Sequence, residues 1–302
     1  MIDVSLLGCG GMMPLKDRWL TSCLLHCGGR SVLIDCGEGT QIAMKNIGAR
    51  FKPIDMICIT HFHADHISGL PGLLLSMGNE GREEPVTFVG PKGLEQVVKS
   101  LCVIAPNLPF DMKFIEQEET FSFSCGELIV TPFWVQHSVD CLGYGFYLPR
   151  KGKFNTEKAK LNEVPMLLWG PLRKSGQAEY EGRIYTYDMV SDGERKGIKL
   201  VYCTDTRPTD SIVDNAKNAD LFICEGLHYD TEKLKKVKKA GHMLYSEAAE
   251  IAKRADVKCM WLTHFSPAVK EPEEGLDTAR KIFPCTECGF DGKTVQLRFE
   301  DT

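Results

Sequence analysis

The chain is predicted to be an α/β protein in which two β-sheets pack together under a cover of helices. Three features of the sequence carry that expectation. Strand-like apolar runs and helical stretches interleave in both halves of the chain, the pattern of a layered sheet-and-helix fold. Four of the apolar runs lead into a histidine or an aspartate, as at the edge of a rigid sheet that delivers side chains to its loops. Between the halves, from Arg150 to Gly197, lies a stretch of glycine, proline, charges and scattered aromatics with little periodicity, which reads as an inserted arm (about 150–197) within one domain spanning residues 1–302.

Ile2–Leu7 alternates like a first strand, and Thr21–His26 and Ser31–Asp35 follow as a hairpin turned by Gly28-Gly29. Asp35-Cys-Gly-Glu-Gly-Thr-Gln41 leads into a short helix, and Ile54–Thr60 is a buried strand followed by a helix opening near Ile67. Pro85–Val89 reads as a strand and Gly93–Val103 as a helix. Met112–Gln117, Thr120–Ser124 and Leu128–Val135 read as one antiparallel series that Tyr144–Leu148 joins. After the arm come strands at Ile198–Thr204, Leu221–Cys224, Met260–Thr263 and Thr294–Phe299, with helices at 211–217, 229–239, 245–254 and 273–282.

Composition narrows the class. With 43% hydrophobic and 25% charged residues the chain matches ordinary soluble globular proteins. No run of eighteen apolar residues points to a membrane span, and Met1–Gly11 lacks the basic and long apolar regions of a signal peptide. The thirteen cysteines are an odd number, and Cys58, Cys203, Cys224 and Cys259 lie inside apolar runs, so a reducing cytoplasm is expected. Cys285-Thr-Glu-Cys288 is a CxxC without a second pair, a weak metal or redox signal. The net charge of −5 gives no global attraction to nucleic acid. Locally, Arg150–Lys174 holds seven Lys and Arg against two Glu, and Lys233–Lys239 holds five lysines in seven residues.

The stretch His61-Phe-His63-Ala-Asp65-His66 dominates the chemistry. Four metal-capable side chains crowd into six residues, and that many polar groups packed so closely are costly unless something binds them. His61 and His63, two apart in extended backbone, point the same way, whereas adjacent Asp65 and His66 diverge and can serve a second ion. Phe133–Gln136, Leu200–Thr204 and Met260–Thr263 deliver His137, Asp205 and His264. Five imidazoles and two carboxylates suit two zinc ions that share one carboxylate.

The His61–His66 stretch followed by single His, Asp and His residues resembles the metallo-β-lactamase superfamily. That resemblance implies an αββα four-layer sandwich of two mixed sheets flanked by helices, with His61, His63 and His137 on one zinc, Asp65, His66 and His264 on the other, and Asp205 bridging. Manganese or iron are the alternative ions, and no organic cofactor is implied. More narrowly, the chain resembles the ribonuclease Z family in its short bacterial form, the endonucleases that cut the 3′ trailer from precursor tRNA. Pro14-Leu-Lys16-Asp-Arg18, Asp35–Gln41, Thr204-Asp-Thr-Arg-Pro208 and Leu262-Thr-His-Phe-Ser266 carry that likeness, and the arm stands where the family has its tRNA-gripping arm. The chain departs from the pattern at Cys224-Glu225-Gly-Leu227, where the family has His-Glu-Ala-Thr, and at His242-Met-Leu244, where it has His-Ser-Thr.

The resemblance implies a cytoplasmic homodimer without membrane attachment, acting on precursor tRNA. Asp65 orients the attacking water and accepts its proton; His242 stabilises a phosphoryl oxygen or protonates the leaving 3′ oxygen, and Glu225 orients His242. His26 and His228 carry no support beyond structure. Two readings compete with this one: a hydrolase of a small-molecule phosphodiester or other ester, which suits the acidic net charge, and a non-catalytic RNA-binding protein with structural zinc. The seven-ligand set speaks against the latter, because structural zinc sites are closed and four-coordinate.

Overall fold

The computed structural model describes residues 1–300. The strand-forming apolar runs of the first half build one sheet. Its strands β1 (Ile2–Gly8), β2 (Ser22–Cys27) and β3 (Arg30–Ile34) pair antiparallel, and β4 (Ile54–Cys58), β5 (Val86–Pro91) and β6 (Met112–Gln117) continue from β3 in parallel. Gly28 and Gly29 both take positive φ (58° and 80°) between β2 and β3, the backbone of a tight two-residue hairpin turn. A second sheet begins with antiparallel β7 (Phe123–Cys125), β8 (Leu128–Val135) and β9 (Cys141–Arg150). The hairpin β10 (Gln177–Tyr180) and β11 (Arg183–Thr186) stands apart. The second sheet resumes with β12 (Arg195–Cys203), β13 (Leu221–Glu225), β14 (Met260–Thr263) and β15 (Thr286–Cys288), parallel to one another. Finally β16 (Thr294–Leu297) returns to the first sheet beside β1, giving the orders β16-β1-β2-β3-β4-β5-β6 and β15-β14-β13-β12-β9-β8-β7.

The central parallel strands are apolar on both faces because both are covered. Helices at Thr40–Asn46, Leu70–Asn79 and Leu94–Leu101 pack Met44, Leu73, Leu74 and Val98 with Leu33, Ile57 and Phe88 of the first sheet. Helices at Asp210–Ala216, Tyr245–Arg254 and Leu276–Arg280 pack Ile212, Ala248, Ala252 and Leu276 with Val201, Phe222 and Met260 of the second. The sheets meet at Tyr144 of β9, whose hydroxyl donates to the backbone carbonyls of Ile59 (2.7 Å) and Val89 (3.3 Å). The result is the four-layer helix–sheet–sheet–helix sandwich that the sequence predicts.

Some elements differ from expectation. Met112–Gln117 is not part of the antiparallel series; it is the parallel edge of the first sheet, while Phe123 onward belongs to the second. A residue pattern of period two specifies a strand but not its partner. Residues 229–239 form a 3-10 turn at Thr231–Lys233 and a helix only at Leu234–Lys239. Cys285 and Cys288 do not form a paired motif: Cys288 is buried in β15 and Cys285 is exposed just before it.

Two compact units emerge. The larger comprises Met1–Leu148 and Ile198–Arg298; the smaller comprises Pro149–Gly197 with Phe299 and Glu300. The smaller has a core of its own, Ala159, Val164, Leu168, Leu172, Tyr185 and Val190, walled by Phe154 and Trp169. Its helix Thr156–Leu161 starts at Asn155, whose side chain accepts from Lys158 N at 2.9 Å. Elements of four to seven residues are too short to show a period, so this order is invisible in the sequence. No described helix is long and apolar enough to cross a membrane.

Candidate metal centre

The seven side chains named from the sequence converge where strands of the two sheets end. β4 runs into Thr60 and His61; a short helix, Ala64–Ile67, then carries Asp65 and His66. β8 leads to His137, β12 to Asp205 and β14 to His264. Ligand atoms of His61, His63, His137 and Asp205 all lie within 4.8 Å of one another, as do those of Asp65, His66 and His264. A third such group joins Asp205 and His264 to His242.

Asp205 ties the groups together through different oxygens. Its Oδ2 lies 3.5 Å from His61 Nε2 and 3.8 Å from His137 Nε2. Its Oδ1 lies 3.2 Å from His66 Nε2 and 3.1 Å from His264 Nε2. One carboxylate thus presents one oxygen to each cluster. Asp35, Asp205 and His264, each just beyond a strand, have φ of 55°, 51° and 57°. Left-handed backbone at non-glycine residues is uncommon and collects at functional sites. Here it turns each side chain off its strand and into the centre.

The electrostatics suit a cation. Burial, reinforced by the charge of His66, pushes His61 down to about 2, so its imidazole is neutral and able to ligate. Burial alone would raise Asp205, but His264, His66 and His61 around it hold it well below the usual carboxylate range. Burial likewise opposes ionisation of Asp65, and the hydrogen bond from His264 together with the charges of His66 and His264 outweighs it. His61 Nε2 and Asp205 Oδ1 are buried without a hydrogen-bond partner, a costly arrangement for polar atoms that a divalent ion relieves. Nitrogen and carboxylate donors in this number fit two borderline ions such as zinc.

Sequence reasoning gave no role to the residues behind the ligands. Buried Asp35 accepts from His66 Nδ1 at 2.7 Å and from the Thr60 amide at 2.8 Å. The Thr60 hydroxyl lies 2.9 Å from Asp35 Oδ2 and 3.1 Å from His61 Nδ1. Asp35 and Thr60 therefore leave the Nε2 atoms of both histidines facing inward, as outer partners of metal ligands do. Gly241 O faces His137 Nδ1 at 3.2 Å in the same way, and a Cβ on Gly241 would come within 2.8 Å of that nitrogen. On the other side, the Met12 amide donates to Asp65 Oδ2 at 2.6 Å, and a Cβ on Gly11 would strike the His264 ring at 2.5 Å. Apart from Thr60, which directly precedes His61, these partners share no local pattern with the side chains they hold, and only the Asp35 signature hinted at a role.

His242 stands beside the two clusters. Its Nδ1 lies 3.2 Å from both Glu225 oxygens, and its Nε2 lies 3.9 Å from Asp205 Oδ2. Burial would lower its pKa, but the Glu225 carboxylate prevails and raises it to about 9. The two departures from the family pattern touch each other: Cys224 Sγ lies 3.8 Å from Met243 Sδ and 3.7 Å from Cys203 Sγ. An apolar sulfur cluster thus underlies the His242–Glu225 pair. His26 contacts Ser31 and His228 contacts the Asp230 amide, both through local hydrogen bonds.

Residues 2–160 match the family model described as the Anti-Pycsar protein Apyc1, and residues 153–265 match that of the Beta-lactamase superfamily domain. Among solved structures, the human short-form tRNase Z superposes with a TM-score of 0.69 at 22% identity, over 98% of this chain and all of that one. The metallo-beta-lactamase fold protein YhfI from Bacillus subtilis does so with a TM-score of 0.69 at 19% identity, over 97% and 98%. Both likenesses are of fold. Sequence relatives lie much nearer: proteins named Ribonuclease Z from Agathobacter rectalis (53% identical, 100% of both chains) and Lachnospira eligens (54%, 100% of this chain and 99% of the other). A further Ribonuclease Z, from Clostridium acetobutylicum, is 49% identical over the whole of both chains. With identity at that level along its full length, the chain belongs to the ribonuclease Z family, within the beta-lactamase superfamily.

Proposed function

We propose that the protein is a cytoplasmic, zinc-dependent endoribonuclease that hydrolyses the phosphodiester joining the 3′ trailer to precursor tRNA. The observation that carries this reading is the Asp205 carboxylate, which turns one oxygen toward each of two imidazole clusters. In this reading His61, His63 and His137 hold one zinc, Asp65, His66 and His264 the other, and Asp205 bridges. When bound, such a pair supplies an acidified water and offsets negative charge on a phosphoryl group. Asp65, fixed by the Met12 amide, orients the attacking water and takes its proton. His242, backed by Glu225, gives a proton to the leaving 3′ oxygen. Cys224 and Met243 bring their sulfurs together behind that pair.

Two basic segments supply the RNA contacts in this proposal. The five lysines of 233–239 are all exposed, and Val237 anchors their helix to Leu227 and Leu244. That helix ends one turn before Gly241 and His242, so its charge adjoins the site. In the smaller unit, Lys158 Nζ donates to Ser191 O and Arg173 lies 4.1 Å over the Phe154 ring, contacts that leave the positive charge intact. The proposal includes a homodimer, which light scattering of the purified chain checks.

Metal analysis of protein prepared with ample zinc is expected to approach two ions per chain. A firm value of one, with His66 and His264 free, removes the bridged centre. The substrate is tested by offering 3′-extended tRNA and bis(p-nitrophenyl) phosphate side by side to the intact chain and to one lacking about Gly152–Gln177. The deletion is expected to raise KM for tRNA and flatten its salt dependence, since phosphate contacts release counterions. Turnover of the small ester should survive, because uniform binding serves capture and not chemistry. Cleavage of the small ester alone by the intact chain would favour the small-molecule phosphodiesterase instead.

A further inference from the structure

We infer that Arg207 is a positioning residue, one that holds His242 in register with Asp205 without itself touching the substrate. The inference rests on the assignment of His242 to the leaving oxygen. Arg207 follows Asp205 by two residues, and its backbone amide donates to Gln136 O at 2.8 Å. The Gln136 amide in turn donates to Thr206 Oγ1 at 3.1 Å, so the loops that carry His137 and Asp205 are tied to each other. The Arg207 guanidinium then crosses to a third loop. Nη1 donates to the backbone carbonyl of His242 and, at 2.9 Å, to Glu247 Oε2, while Nη2 donates to Glu247 Oε1. Glu247 Oε2 also accepts the Leu244 amide at 2.9 Å, which fixes the chain between His242 and the helix that begins at Tyr245.

One planar cation therefore spans the backbone of His242 and the acidic residue that pins the following turn. A lysine could match the charge but not the fork, because its ammonium is a single point with no fixed pair of donors. The position of Glu225 reinforces the same alignment: it accepts from the Thr206 amide and the Met243 amide while it faces His242 Nδ1. Side-chain orientation at His242 comes from Glu225, and its backbone location comes from Arg207. A general acid displaced by about an ångström loses much of its effect, which is why the pairing matters for turnover.

The test is a double-mutant cycle on the zinc-loaded full chain with 3′-extended tRNA. Arg207→Ala is expected to lower kcat roughly tenfold to a hundredfold, with KM, metal content and Tm close to the parent. In a His242→Ala background the same substitution should add almost nothing to the loss of turnover, because the imidazole that Arg207 positions is gone. Arg207→Lys should fail to restore turnover. Hydrolysis of bis(p-nitrophenyl) phosphate, whose leaving group departs without a proton, should stay within a few-fold of the parent. If Arg207→Ala proves unstable, Glu247→Gln takes its place and should give the same non-additive pattern. Multiplicative losses in the double variant, or equal losses on both substrates, would overturn the inference. Intact tRNA cleavage by His242→Ala would remove the underlying assignment, whereas loss there with no effect at Arg207 removes the positioning role alone.

Discussion

Asp65→Ala is expected to lower turnover by more than about a hundredfold while the chain remains folded. The expectation follows from the two roles proposed for this carboxylate, ion binding and proton acceptance. Its Oδ2 accepts the Met12 amide at 2.6 Å and lies 3.3 Å from His264 Nε2, so the group is already oriented. The folding cost is limited, since Asp65 lies in the four-residue helix Ala64–Ile67 and contributes nothing to either apolar core. What remains is the Met12 amide, which loses its acceptor but belongs to an exposed residue and can bond to water instead. Asp65→Asn separates the roles: it can still accept from Met12 but carries no charge. Steady-state kinetics, metal content and circular dichroism together check this. Near-normal turnover with full metal content would exclude Asp65 from the mechanism.

His242→Ala should divide substrates by their leaving groups. Loss on 3′-extended tRNA is expected at about a hundredfold or more, the usual scale of a lost general acid. Loss on bis(p-nitrophenyl) phosphate should stay below about tenfold, because an aryloxide leaves without protonation. The geometry supports this role over that of a further ligand. Glu225 faces Nδ1 at 3.2 Å on one side, and the opposite nitrogen stands 3.9 Å from Asp205, farther than the nearest oxygen contact of His61, His66 or His264. Glu225→Gln keeps a hydrogen-bond partner but removes the charge that sustains the imidazolium, so it should show a weaker form of the same selectivity. If both substrates suffer equally and a metal ion is lost, His242 is a ligand and the acid lies elsewhere.

The basic arm illustrates a different limit on reading function from composition. Its excess of seven cations over two carboxylates between Arg150 and Lys174 is plain in the sequence. Several of those cations nevertheless have partners within the unit: Lys158 with Ser191 O, Lys160 with Glu157, Arg173 with Phe154. Exposed pairs of this kind contribute little to stability and are readily exchanged. The charge is thus available to phosphates, but the number of contacts it forms is a matter for the salt dependence of binding.

The sequence by itself determined the chemistry on offer. His61, His63, Asp65 and His66 are recognisable because their spacing is local, and His137, Asp205 and His264 because each follows an apolar run. The layered fold was legible for the same reason, since alternation and helical period are properties of neighbours along the chain. Tertiary structure alone decided the rest. It gave β6 to the first sheet and β7 to the second, because partners in a sheet are chosen by burial across distant residues. It bent Asp35, Asp205 and His264 into left-handed backbone, a conformation that Asp and His tolerate better than most residues but do not by themselves specify. It set Asp35 behind His66, and Arg207 beneath His242, at sequence separations that no motif spans. The identity of the candidate ligands is written in residue type, whereas their orientation depends on contacts between residues far apart in the chain, which exist only once the sheets have formed.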